Sequence, residues 1–362
     1  METKQHVLII GGGVFGLTAA IVLAESGITV TVTEKAEDIM LGASKVNQNR
    51  IHFGYHYPRS KETCLESLEG LQTFKNFYQD AIHSGFKKYY AIAKEGSHLN
   101  ADQFYTFCKD LGLSLEEAYP PAGIMNKDLV ENCWLTDEPI FDYNILKQLI
   151  IYRIAKNKNI KILRNIQPTA MLQKGLEKEV KLSDGSLLMC NAVVNATYAS
   201  ISETAQMLGL SPIQAKYQLC LLPILQTKKP LEAFGVTIMD GPFCSLMPKG
   251  LSSDQFILYH VKHSVLETHV GTENVPWSPI TDFPDLNIIE KSKQYFPILD
   301  SMSIYDSWTT TRIVLPKQEI DDARPTLTIV HGDHVYSLFS GKLTTCVSAA
   351  KDLLEKIKQQ PL

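Results

Sequence analysis

One cluster of glycines in the sequence has the spacing to hold a phosphate. Gly11-Gly12-Gly13-Val14-Phe15-Gly16 fits the pattern Gly-x-Gly-x-x-Gly. In that pattern the first glycine permits a tight turn and the second lets the backbone approach a pyrophosphate. The third allows a helix to pack against a strand. The helix that follows offers unpaired N–H groups and a partial positive charge to the phosphates. Glu34 lies 23 residues after Gly11, where a carboxylate accepts hydrogen bonds from ribose hydroxyls and disfavours a 2′-phosphate. The competing reading is a glycine-rich turn with an incidental acid. Strand, helix, stop signal and acid in register favour a dinucleotide, with NAD and FAD both open on the fingerprint alone.

The elements that must position these residues form a βαβ unit. Residues 7–10 are a short apolar run suited to a strand buried on both faces. Val14–Ser26 reads as a helix stopped by Gly27, and Ile28–Thr33 as a second strand ending at Glu34. An irregular stretch, 42–60, precedes a helix expected from Thr63 to about His83, with Leu65, Leu68, Leu71, Phe74 and Phe77 on one face. Strand 87–93 and helix 101–111 follow. A helix over 142–156 is capped by Asp142 and leads into the strand Lys161–Leu163. Val180–Leu182 and Leu187–Met189 flank Ser183-Asp184-Gly185, a hairpin signal, and Ala192–Ala196 is another buried strand. Tyr217–Gln226, Phe243–Pro248 and Gln255–Val261 succeed one another without helices, which predicts an antiparallel sheet. The end returns to strands at Leu327–Val330 and Val335–Phe339 and a helix from about Lys342 to Lys358.

Composition narrows the class. The chain has 362 residues, 44% hydrophobic and 20% charged, with a formal net charge of -4. That balance gives no electrostatic reason for a nucleic-acid or anionic-membrane partner. Seven cysteines without a CxxC pair read as reduced thiols in a cytoplasmic protein. The apolar N-terminal stretch is broken by Gly11, Gly12, Gly13, Gly16 and Glu25, so no transmembrane segment is expected. Asp321-Asp322-Ala323-Arg324-Pro325 reads as a loop before a strand. Adjacent aspartates in a turn are usually solvated, and no metal is expected there.

Four segments, spread from end to end, resemble the D-amino-acid-oxidase-like FAD oxidoreductases. That family includes glycine oxidase, L-2-hydroxyglutarate dehydrogenase and the flavin-linked glycerol-3-phosphate dehydrogenases. The segments are Val7–Glu34; Gly42-Ala43-Ser44 with Asn49-Arg50-Ile51-His52-Phe53-Gly54-Tyr55-His56-Tyr57-Pro58; Ala192–Thr197; and Ser340-Gly341-Lys342-Leu343-Thr344-Thr345. The resemblance implies an α/β fold: a Rossmann-like FAD-binding domain of the glutathione-reductase-like type with an inserted antiparallel-sheet substrate domain. The FAD-binding pieces are expected at 1–85, 142–215 and 306–362, and the substrate-domain pieces at 86–141 and 216–305. It implies non-covalent FAD at Gly11, Gly13, Val14, Phe15, Gly16, Glu34, Lys35, Ala43, Ser44, Asn49, Arg50, Ile51, His52, Ala196, Thr197, Gly341, Lys342, Leu343 and Thr344. A helix start flanked by Lys342 would stabilise negative charge on the reduced flavin.

The resemblance also suggests catalytic residues. His52 falls in the flavin-facing segment and suits a base near neutral pH, with flavin packing as the alternative. Tyr55 belongs to the same crowded stretch as His56, Tyr57 and Arg59. Ser307–Pro316 resembles the Trp-Thr-Gly-x-Arg-Pro segment of the D-amino-acid oxidases, which makes Arg312 a candidate clamp for a substrate carboxylate. Thr310 and Ile313 replace the glycine and proline of that segment. Tyr259, beside His260, is a further candidate. The reading is an FAD-dependent oxidase or dehydrogenase acting on a CH–NH or CH–OH carbon of a small amino or hydroxy acid, or a similar polar metabolite. Its electrons would pass to oxygen, a quinone or a protein. A flavin monooxygenase and a non-catalytic flavin-binding subunit are the alternatives.

Overall fold

In the computed structural model of the protein, which describes residues 5–273, 276–316 and 324–359, the strands sort into two large sheets. The first has six strands in the order Leu327–Gly332, Val335–Phe339, Ala192–Asn195, His6–Ile10, Thr29–Glu34, Ile160–Arg164. All neighbours are parallel except the hairpin Leu327–Gly332/Val335–Phe339. The central strand explains its own composition. Val7 and Ile9 face one layer, packed with helices Val14–Glu25, Lys61–Tyr78, Tyr143–Lys156 and Cys346–Gln359. Leu8 and Ile10 face the other, packed on a three-stranded antiparallel sheet of Pro168–Lys174, Glu177–Leu182 and Leu187–Cys190. A strand covered on both faces has no place for a polar side chain.

The second sheet has nine strands, running from Val265–Gly271 through Ala215–Thr227, Gln255–His260, Cys244–Pro248, Phe234–Met239, Lys87–Ala93 and Val130–Thr136 to Glu116–Glu117. Met302–Val314 is laid along Ala215–Thr227. It departs from a purely antiparallel sheet where Phe234–Met239 runs parallel to Lys87–Ala93. Residues 306–314, expected with the last piece of the dinucleotide-binding unit, lie in this sheet. Their backbone pairs with Ala215–Thr227 in one register from Lys216↔Val314 to Ile224↔Asp306.

Two helix ends also differ from the sequence reading. The helix expected to reach His83 stops at Tyr78, and after a short turn Ile82–His83 pair with Ile140–Phe141. The last α-helix starts at Cys346, because Leu343–Thr345 form a tighter 3-10 turn. All seven cysteines are unpaired and buried. Among the described residues no helix is long and apolar enough to cross a membrane.

Candidate active site

A cavity of about 910 Å3 is lined at one end by Glu34 and Lys35 and, on the second sheet, by Tyr259 and Arg312. The glycine turn shapes the first region. Gly11 has φ +108°, and a Cβ there would sit 2.6 Å from the Ala196 carbonyl oxygen. A Cβ on Gly16 would fall 2.1 Å from the Gly11 oxygen. On Gly13 it would meet Ser44 Oγ at 3.4 Å and no other atom at ordinary contact distance, so this glycine opens onto free space. Ser44 Oγ accepts the Val14 N–H at 3.0 Å, while Gly13 and Phe15 line the cavity. The Glu34 carboxylate accepts from Gly12 N–H and Ala36 N–H, each at 2.8 Å. Each oxygen keeps a second lone pair for a hydroxyl.

The second sheet supplies a cation. Arg312 Nε and Nη2 donate to Gln218 Oε1 at 3.0 and 2.7 Å, and Nη1 donates to Tyr259 Oη at 2.9 Å. Gln218 and Arg312 are directly opposite across the two strands, which is why one can hold the other. Despite burial, the Tyr259, Cys220 and Tyr198 side chains around the guanidinium raise its pKa. None of these is a carboxylate. Arg324 lines the same cavity.

Between the two regions lies a buried charged network. The Arg50 guanidinium stands 3.4 Å from Glu138 Oε2 and donates to the Tyr90 hydroxyl, which in turn donates to Glu138. Burial opposes ionisation of Glu138, yet the Arg50 charge and the neighbouring His52 hold its pKa well below the usual carboxylate range. His52 Nδ1 is 3.5 Å from Glu138 Oε1, within ion-pair reach but short of a formed hydrogen bond, and neither atom has another partner. Burial pushes the His52 pKa down to about 4, so its ring is neutral at physiological pH. Arg50 Nε, His56 Nδ1, Asn49 Oδ1, Thr33 Oγ1 and Thr344 Oγ1 are likewise buried without partners.

The residues singled out in the sequence fall into two groups. Gly11, Gly13, Val14, Phe15, Glu34, Lys35, Ala43, Ser44, Arg50, His52, Ala196, Thr197, Tyr259, Arg312, Gly341, Lys342 and Leu343 line the cavity. Gly16, Asn49, Ile51 and Thr344 do not line it, and the side chains of the last three are buried. Tyr55 is a correction. It turns into a cluster with Tyr90 and Phe104, and its hydroxyl donates to the Ser114 carbonyl at 2.8 Å. The Lys342 ammonium donates to the Thr63 carbonyl (3.0 Å) and Ser67 Oγ (2.7 Å), above the Tyr57 ring. Burial lowers its pKa to about 8. Arg59 pairs with Asp240 at 2.6 Å. His260 is buried beside His263 and does not line the cavity. Asp321 and Asp322 lie outside the described residues. Sequence reasoning missed Glu138 and Gln218, because neither sits in a local motif.

Comparison with known proteins gives this arrangement a context. The family described as FAD dependent oxidoreductase matches residues 6–351. The FAD-dependent monooxygenase FPY4 of Fusarium mangiferae is 24% identical over 360 residues, spanning 97% of this chain and 91% of that protein. The FAD-dependent monooxygenase kojA of Aspergillus flavus is 24% identical over 380 residues, spanning 99% and 86%. Among solved structures, glycine oxidase from Geobacillus kaustophilus superposes with a TM-score of 0.77 at 14% identity, covering 98% of this chain and 95% of the other. L-amino acid deaminase from Proteus vulgaris gives 0.74 at 16%, covering 98% and 91%.

Proposed function

The chain belongs to the FAD dependent oxidoreductase family, and from that premise we propose that it oxidises a CH–NH or CH–OH carbon of a small amino or hydroxy acid. The cofactor is FAD, which when bound accepts a hydride from that carbon. The observation that carries the substrate reading is Arg312: a half-buried guanidinium lining the cavity, held by a glutamine and a tyrosine instead of an acid. A substrate carboxylate on Arg312 fixes the neighbouring carbon in the cavity. His52 then takes the proton from the N–H or O–H as the hydride leaves carbon, and the product is an imine or a ketone. Its ring, neutral above a pH of about 4, keeps a lone pair for this step. Gly11 and Gly13 would admit the pyrophosphate of FAD, Glu34 would accept from its ribose hydroxyls, and Gly341–Leu343 would hold its flavin end.

The names of two structural neighbours, glycine oxidase and L-amino acid deaminase, support the amino-acid version. A second reading, a flavin monooxygenase, is favoured by the names of the relatives FPY4 and kojA. Anaerobic mixing with a panel of amino and hydroxy acids separates the two. An oxidase or dehydrogenase loses its flavin absorbance with one of these acids alone. A chain that stays oxidised with every acid, yet is reduced by a nicotinamide donor, would sink the first reading in favour of the second.

A further inference from the structure

Arg312 has five N–H donors, and the structure accounts for three of them. Gln218 Oε1 takes Nε–H and one N–H of Nη2, and Tyr259 takes one N–H of Nη1. One N–H is left on each terminal nitrogen, and both are donors open to a carboxylate. Both holders are neutral. Gln218 offers its amide oxygen where a glutamate of the same length would offer a carboxylate, so the guanidinium is oriented without being neutralised. The buried Arg50 has an acid partner in Glu138. Among the described residues Arg312 has none.

We propose that Gln218 is the specificity-determining residue of this site: it aims Arg312 while leaving its charge unpaired, and so selects a ligand that brings one carboxylate. This rests on the carboxylate reading of Arg312 given above and deepens it. Gln218 is a positioning residue, acting through Arg312. A glutamate at 218 would occupy the guanidinium as an internal counter-ion and close the site to anions.

The test uses the FAD-loaded protein and compares acetate with its neutral isostere acetamide, and glycolate with glycolamide. Binding is read from perturbation of the visible flavin spectrum and from calorimetry. Wild type is expected to prefer each acid over its amide. In Gln218→Glu that preference should fall by about tenfold to a hundredfold, the scale of one lost charge-assisted hydrogen bond. Gln218→Leu keeps the charge and loses the aim. It should bind the acids more weakly than wild type yet still prefer them to the amides, and it serves if the glutamate variant does not retain FAD. An unchanged acid preference in Gln218→Glu overturns the proposal, and so does a Gln218→Leu variant that binds the acids as wild type does. If Arg312→Leu also keeps the preference, or if wild type has none, the carboxylate reading of Arg312 fails with it. Loss of the preference in Arg312→Leu combined with no effect at 218 leaves that reading standing and removes Gln218 alone.

Discussion

The two regions of the cavity are built on different principles. At the glycine turn, backbone makes the surface: Gly11, Gly13 and Gly16 matter for the side chains they lack, and they fall within six consecutive residues. On the second sheet, side chains make the surface, and they come from far apart. Gln218 and Arg312 are separated by 94 positions, and beside that sheet Arg50 and Glu138 are separated by 88. At Gly11 and Gly16 the backbone leaves no room for an added atom, whereas a side-chain site tolerates change in shape but not in charge. The first is therefore expected to govern whether the cofactor is held, and the second which molecule is turned over.

The largest effect should come from adding atoms to the turn. Gly16→Val puts a branched side chain where even a Cβ lies 2.1 Å from a backbone oxygen. The helix must move off the strand, at about 4 kcal/mol or more. Flavin content and thermal midpoint should both collapse. A stable, yellow Gly16→Val protein would break the comparison at its backbone end.

A smaller and more selective loss is expected for Arg312→Lys. An ammonium keeps the charge but cannot offer two parallel N–H groups. The expected loss in kcat/KM is about 2–3 kcal/mol with flavin content intact. Full activity would remove Arg312 from the substrate site, and loss of FAD would make it a structural residue.

The smallest effect is a slope. His52 titrates near 4 in the folded chain because it is buried, against an ordinary 6.5. Between those values the unfolded chain binds a proton that the folded one refuses, so stability should fall as pH drops from about 6.5 to 4. Urea unfolding of His52→Gln should show a shallower fall, with His56 and His260, also lowered by burial, retaining part of it. An unchanged slope would mean that His52 is not the buried neutral ring described.

The same contrast decides what could be read in the sequence. The βαβ unit, the Asp142 cap and the Ser183-Asp184-Gly185 hairpin are local, and each element is found in the structure. Asp142 caps its helix through bonds to Asn144 and Ile145 N–H. Met302–Val314 escaped notice because a strand paired along one side, with most of its residues only partly covered, needs no apolar run: Ser303, Tyr305, Asp306, Ser307 and Thr309–Thr311 interrupt any alternation. Glu138, between Asp137 and Pro139, belongs to no local motif, and its partners Arg50 and Tyr90 meet it only in three dimensions. Tyr55 shows the reverse error. His52 and Tyr57 nearby line the cavity, but the chain turns between them, with Gly54 at φ +101°, and Tyr55 faces the core.

The helix Val14–Glu25 is buried along nearly its whole length, and part of its cover is Cys346–Gln359, with Thr18 Oγ1 3.7 Å from Cys346 Sγ. A ribosome makes these two segments more than 300 positions apart. Throughout that interval the first helix carries an apolar surface with no lasting partner, a natural address for a chaperone. Nascent chains released before residue 346 should be sticky and short-lived, whereas chains lacking only the positions after 359 need not be.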